Sequence, residues 1–174
     1  MLVSLLTGSA LCLAACGSSS PTAPATPPPP TPVPCTHSTL FQSGGSLPAH
    51  SADFESFTTT TSGRVDVTLD WTFPSSLMAV WVAQGACNFD QFKAGTCNYL
   101  LQQASPPKPL KGSIANVPAG TYVLIIGNAS DVSESVAVSV VLSSSTCPAA
   151  SSVTSHSNGD LIPEILRKFP VLGH

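Results

Sequence analysis

Hydrophobic residues along this chain recur at every second position rather than every third or fourth. Arg64–Trp71 reads RVDVTLDW, with Val65, Val67, Leu69 and Trp71 on one parity and Asp66, Thr68 and Asp70 on the other. Such alternation is the mark of a strand with one dry and one wet face. In Ser135–Leu142 (SVAVSVVL) the residues Val136, Val138, Val140 and Leu142 share a face, and Thr121–Gly127 (TYVLIIG) is a β-branched run. Leu77–Ala83 (LMAVWVA) is apolar on both parities, as a central strand covered on both sides should be. Ser38–Gln42, Phe54–Thr60, Tyr99–Gln103 and Lys111–Ala115 are shorter candidates, separated by turn clusters such as Gly44-Gly45, Ser62-Gly63, Pro106-Pro107 and Pro118-Ala119-Gly120. The pattern predicts an all-β fold, an antiparallel sandwich or jelly roll of about eight strands.

The pattern stops at both ends. Gly17–Pro34, GSSSPTAPATPPPPTPVP, is too proline-rich for helix or sheet and favours an extended polyproline tether. The domain is therefore expected over 35–147, a usual size for one core. The tail, 148–174, opens as a Ser/Thr spacer. At 160–169, DLIPEILRKF, it places Leu161, Ile162, Ile165, Leu166 and Phe169 on one helical stripe, with Arg167 and Lys168 suited to the C-terminal turn. A helix this short needs a surface to bury against: the sandwich itself, a partner and a membrane interface are the options, and the alternative is a tail that stays flexible and disordered throughout.

The N-terminus carries an address. An apolar run, 1–15, ends in Leu13-Ala14-Ala15-Cys16 and is too short to span a bilayer. It resembles a bacterial lipoprotein signal, which implies cleavage before Cys16 and acylation there, with the chain held in the cell envelope by its lipid. Gly17 in place of Asp favours the outer membrane if the cell is Gram-negative. Further on, Ser62-Gly63, the strand VDVTLDW, the run LMAVWVA and the late segment Asn116–Tyr122 (NVPAGTY) follow one another. In that order they resemble the bacterial pre-peptidase C-terminal domain over roughly 40–142. The resemblance implies a β-sandwich accompanying a secreted enzyme, with no catalytic position among the matching residues.

Of six cysteines, Cys12 leaves with the signal and Cys16 takes the lipid. Cys35, Cys87, Cys97 and Cys147 remain, an even number in an oxidising compartment. Of the three possible pairings, Cys87–Cys97 and Cys35–Cys147 are favoured, the first closing a short loop and the second bracketing the domain. A four-cysteine zinc site lacks a close Cys-x-x-Cys pair.

Only 9% of residues are charged, against about a quarter in ordinary globular proteins. The net charge is −3 and the six basic residues are scattered, so nothing could track a nucleic-acid backbone. No G-x-S-x-G or H-E-x-x-H motif occurs, and His37, His50, His156 and His174 lie far apart. Asp66 and Asp70 should share an outward strand face, with Asp53 and Glu55 on a neighbouring segment. These are either solvated carboxylates or hard ligands for calcium. Trp71 and Tyr122 are expected in the core, leaving Trp81 and Tyr99 free for a ligand. The Cys87–Cys97 loop is the expected ligand site, offering Phe89, Asp90, Phe92 and Lys93, unless its rings plug an open end of the sandwich. No cofactor is implied. The favoured function is a non-catalytic, membrane-tethered module binding a surface polysaccharide or protein; the alternative is a small hydrolase with an unrecognised site.

Overall fold

Among its described residues the computed structural model has eight strands and two helices: β1 (His37–Leu47), β2 (Ser51–Thr59), β3 (Gly63–Trp71), β4 (Met78–Gln84), α1 (Phe89–Ala94), β5 (Tyr99–Ala104), β6 (Leu110–Val117), β7 (Gly120–Asn128), β8 (Glu134–Ser143) and α2 (Leu161–Lys168). The structure describes residues 34–144, 147 and 161–169. Cys16, the signal and linker ahead of Pro34, and most of the tail lie outside the described residues.

The strands form two four-stranded sheets, ordered β1-β8-β3-β6 and β2-β7-β4-β5. Every pairing is antiparallel. Register aligns the dry faces: Val65 lies opposite Leu142, Val67 opposite Val140 and Leu69 opposite Val138. These residues meet Val80, Val82, Tyr122, Leu124 and Ile126 of the other sheet in a closed apolar core. Each such side chain contributes about 1.5–3 kcal/mol by leaving water. Tyr122 stacks on Phe57 at 5.5 Å and donates its hydroxyl to the Pro118 carbonyl at 2.7 Å. Its ring is wholly buried and its polar end is satisfied, the condition for keeping a tyrosine inside.

The outer faces differ. On β3 the outward residues Arg64, Asp66, Thr68 and Asp70 are polar and at least partly exposed. The outward residues of the other sheet, including Ala79, Trp81, Ala83, Val123 and Ile125, lie under α1 and α2 in a second apolar layer. Helix α1 forms inside the Cys87–Cys97 loop because its ends are fully capped. Asn88 and Gln91 bond each other's backbone amides in a capping box, and Gly95 at φ 67° closes the C-terminus. Helix α2 lays Ile165 into the same layer and Phe169, just after its end, follows, both nearly inaccessible to solvent. Gly127 makes this possible, since a Cβ there would sit 2.7 Å from the Phe169 ring and 2.9 Å from that of Trp81.

Disulfides join Cys35 to Cys147 and Cys87 to Cys97, with Cα–Cα distances of 4.6 and 5.5 Å. The first ties the chain just before β1 to the chain just after β8, which are already register partners at His37 and Ser143.

Candidate functional site

The Cys87–Cys97 loop does not present the surface expected of it. Phe92 is fully buried, edge-on to Trp81 at 4.9 Å and to Phe54 at 5.5 Å. Phe89 leans on Phe54 at 6.1 Å. Lys93 turns its ammonium onto the end of α2, donating to the carbonyls of Leu166 at 2.7 Å and Phe169 at 2.6 Å. Those carbonyls have no partner within a helix, and a cation there also meets the negative end of the helix dipole. Only Asp90 of the four candidates stands in solvent. The rings cover the outer face of a sheet rather than plugging an end of the sandwich. Trp81 is likewise buried, not free, and Tyr99 is half-buried with its hydroxyl 3.4 Å from the Phe92 carbonyl. Burial raises the Tyr99 phenol above its usual pKa.

The acidic residues separate into two unrelated sets, because β2 and β3 belong to different sheets. Asp66 is held by Arg64 Nε at 3.0 Å and Ser113 Oγ at 2.7 Å. Asp70 pairs with Lys108 at 3.1 Å. The Lys108 hydrogen bond, aided by the Trp71 amide, holds Asp70 below the ordinary carboxylate range.

Asp53 and Glu55 stand differently. They share the inward parity of Phe57 and lie opposite the core residues Ile126 and Leu124. Two carboxylates thus occupy positions where a sandwich normally places apolar side chains. What accommodates them is a cleft of about 80 Å³ between β1 and β2, walled by Phe41, Ile126, Val136 and Val138. On β1 the facing residues are Ser43 and Gly45, too small to fill the space. A Cβ built on Gly45 meets no atom within 4 Å. Asp53 is exposed and Glu55 part-exposed, so both keep contact with water. The arrangement is an apolar trough with anionic groups at its mouth, suited to a ligand with a carbon stem and a cationic end. The parity of Asp53 and Glu55 with Phe57 was visible in the sequence. What hid the cleft was the assignment of β2 as a neighbour of β3.

The histidines show why an acyl-transfer site is not formed at the best-connected one. His37 Nδ1 lies 2.9 Å from Ser143 Oγ, and Ser143 contacts Asp66 Oδ2 at 3.3 Å. A triad needs the imidazole between acid and hydroxyl, with the hydroxyl open to substrate. Here the serine is in the middle and has no exposed surface. His37 Nε2 faces the disulfide sulfur of Cys35 at 3.2 Å. His50 pairs with Asp131 at 2.9 Å. Among the described residues the one grouped set of metal-type donors is Cys35, His37 and Cys147, whose two sulfurs are bonded to each other.

No protein-family model matches the chain, and no curated protein matches it in sequence. Solved structures do resemble it. The pre-peptidase C-terminal domain of collagenase from Bacillus anthracis is 15% identical with a TM-score of 0.46, covering 58% of this chain and 88% of that one. The Yersinia pseudotuberculosis-derived mitogen is 12% identical with a TM-score of 0.45, covering 67% and 92%. The C-terminal domain of A223, a structural protein from sulfolobus turreted icosahedral virus, is 15% identical with a TM-score of 0.33, covering 62% and 98%.

Proposed function

We propose that this chain is a non-catalytic, lipid-anchored module of the cell envelope that binds a protein or polymer at the cell surface, alone or beside a secreted enzyme. The observation that carries the reading is the β1–β2 cleft. Two carboxylates stand where the sandwich pattern calls for apolar side chains, and such a departure from the pattern is expected where a ligand is met. Anchoring rests on the sequence 13–16, with Cys16 as the acylated residue and 17–34 as the tether.

The two halves are tested separately. Cys16→Ala should release the protein from the membrane fraction and abolish palmitate labelling, and membrane retention in that variant rejects the anchor. For the cleft, Gly45→Leu sets an apolar side chain into it from a position where a Cβ meets no atom within 4 Å, so the melting temperature should stay near that of the wild type. Retention of the domain on isolated cell-wall material or on envelope proteins should fall by roughly ten-fold or more. Equal retention of wild type and Gly45→Leu rejects the cleft as the binding site.

A further inference from the structure

The cleft lies beside a strand whose second edge pairs with no other among the described residues, and the two features together define an occupant. Strand β1 pairs with β8 over its length, from His37 opposite Ser143 to Leu47 opposite Glu134. Among the described residues no strand pairs with the other edge of β1. Natural sheets protect such edges with lysines, prolines or bulges. Strand β1, HSTLFQSGGSL, has no proline and no lysine, and its single irregularity falls between Thr39 and Phe41. From Phe41 to Leu47 the register is regular, and Gly44 and Gly45 offer no side chain to obstruct an approaching backbone.

Resting on the reading of the cleft as a binding site, we propose that its occupant is an extended basic polypeptide. It adds as a strand to the open edge of β1 and delivers a lysine or arginine to Asp53 and Glu55. Strand addition satisfies the unpaired amides and carbonyls of β1 and gives affinity from the main chain. Side chains of the added strand alternate, so every second one turns toward the gap between the sheets. A lysine or arginine there lays its methylene stem along Phe41 and Val136 and brings its charge to the two carboxylates. A second copy of this chain fits poorly. It would set Asp53 and Glu55 against their own counterparts, and β1 contains neither lysine nor arginine to meet them. A sugar fits poorly too, because sugar-binding faces expose aromatic rings. The lining of this cleft holds no Trp or Tyr, and its one ring is Phe41.

The test is fluorescence anisotropy of a labelled peptide of about eight residues alternating Val and Lys, matched to a strand length. Two comparators are an alternating Val and Glu peptide and a Val/Lys peptide N-methylated on alternate amides. The Val/Lys peptide should bind to the folded domain, weaken as salt rises, and lose roughly ten-fold or more in affinity with Asp53→Asn/Glu55→Gln. N-methylation in the register that faces β1 should abolish binding. Equal binding of the methylated peptide overturns strand addition, and equal binding by the double variant overturns the carboxylates as its partner. Concentration-dependent dimerisation without peptide, lost in Gly45→Leu, assigns the edge to a second copy and overturns the basic partner. If envelope retention is sensitive to Gly45→Leu while the Val/Lys peptide fails to bind, this inference falls and the binding cleft stands. If retention is insensitive as well, the binding-site reading falls with it.

Discussion

Glu134 has 1% of its surface exposed, the most hidden charge-bearing side chain among the described residues. It survives there because its carboxylate is used up. It accepts the amides of Thr72 at 2.9 Å and Phe73 at 3.1 Å, and the hydroxyl of Ser76. One side chain at the start of β8 thereby fixes the turn after β3. Glu134→Gln keeps the shape but replaces an acceptor oxygen with an NH2 that faces donors, so it should cost about 1–3 kcal/mol in denaturant unfolding. An unchanged midpoint would mean that water already satisfies the turn. Asp70 tests the opposite case, an exposed pair. Its folded pKa lies below the usual 3.8, so its contribution is present above that value and is lost as pH falls through the lowered one. Lys108→Ala should return its NMR titration toward 3.8 with little change in stability, because exposed pairs contribute little. Some core residues were legible in the sequence: Trp71 is buried, as its parity with Val65, Val67 and Leu69 indicates, and Tyr122 is buried with its hydroxyl bonded, as its place at a sandwich corner indicates. Glu134 was not, since Asp131–Ser135 (DVSES) reads as a polar turn and only tertiary structure supplies its donors.

At the scale of elements, the strands were legible and the helical layer was only half so. Each of the eight strands overlaps a segment that alternation or a β-branched run marks, because a period of two is local information. Gly44-Gly45, expected as a turn, instead lies within β1, because Val136 and Ala137 of β8 supply its ladder partners. Strand β4, apolar on both parities, announced a cover on its outer face but not its identity. That cover is built from α1 and from α2, which lies more than 70 residues beyond β4 in the chain. The capping pattern Asn88…Gln91 and Gly95 did signal α1, yet a disulfide-closed stretch of mixed polarity reads first as an exposed loop. The layer makes a prediction about its members. Phe92 touches Trp81, Phe54 and Phe169, so Phe92→Ser should cost about 3–5 kcal/mol and lower the melting temperature sharply. Lys93→Ala removes only the two bonds to the end of α2. It should cost about 1 kcal/mol and speed amide exchange in 161–168 while leaving the strands protected. Equal exchange in α2 with and without Lys93 would show that burial of Ile165 and Phe169 suffices to hold it.

For the whole molecule, the two disulfides constrain different things, and their removal should be distinguishable. Cys35–Cys147 closes 112 residues and Cys87–Cys97 closes 10. Chain entropy assigns about 4.7 kcal/mol to a loop of ~100 residues and roughly 3 kcal/mol to one about as short as the second. The larger figure concerns only the unfolded ensemble. In the folded sandwich the ends that Cys35 and Cys147 join are already paired through β1 and β8, and His37 and Ser143 hydrogen-bond beside them. Cys35→Ser/Cys147→Ser should therefore lower global stability by a few kcal/mol while native amide exchange keeps its pattern, since β1 and β8 stay paired without the bond. Cys87→Ser/Cys97→Ser should lower stability less, but its effect should be uneven. The bond lies in the same apolar layer as Phe92, Ile165 and Phe169, so α1 and α2 should lose protection while β3 and β8 do not. Denaturant midpoints give the first comparison and residue-resolved hydrogen exchange the second. A uniform loss of protection in both variants would mean that the helical layer and the sandwich unfold as one unit. The cover over Trp81 would then be an integral part of the fold rather than a layer added to a finished sandwich.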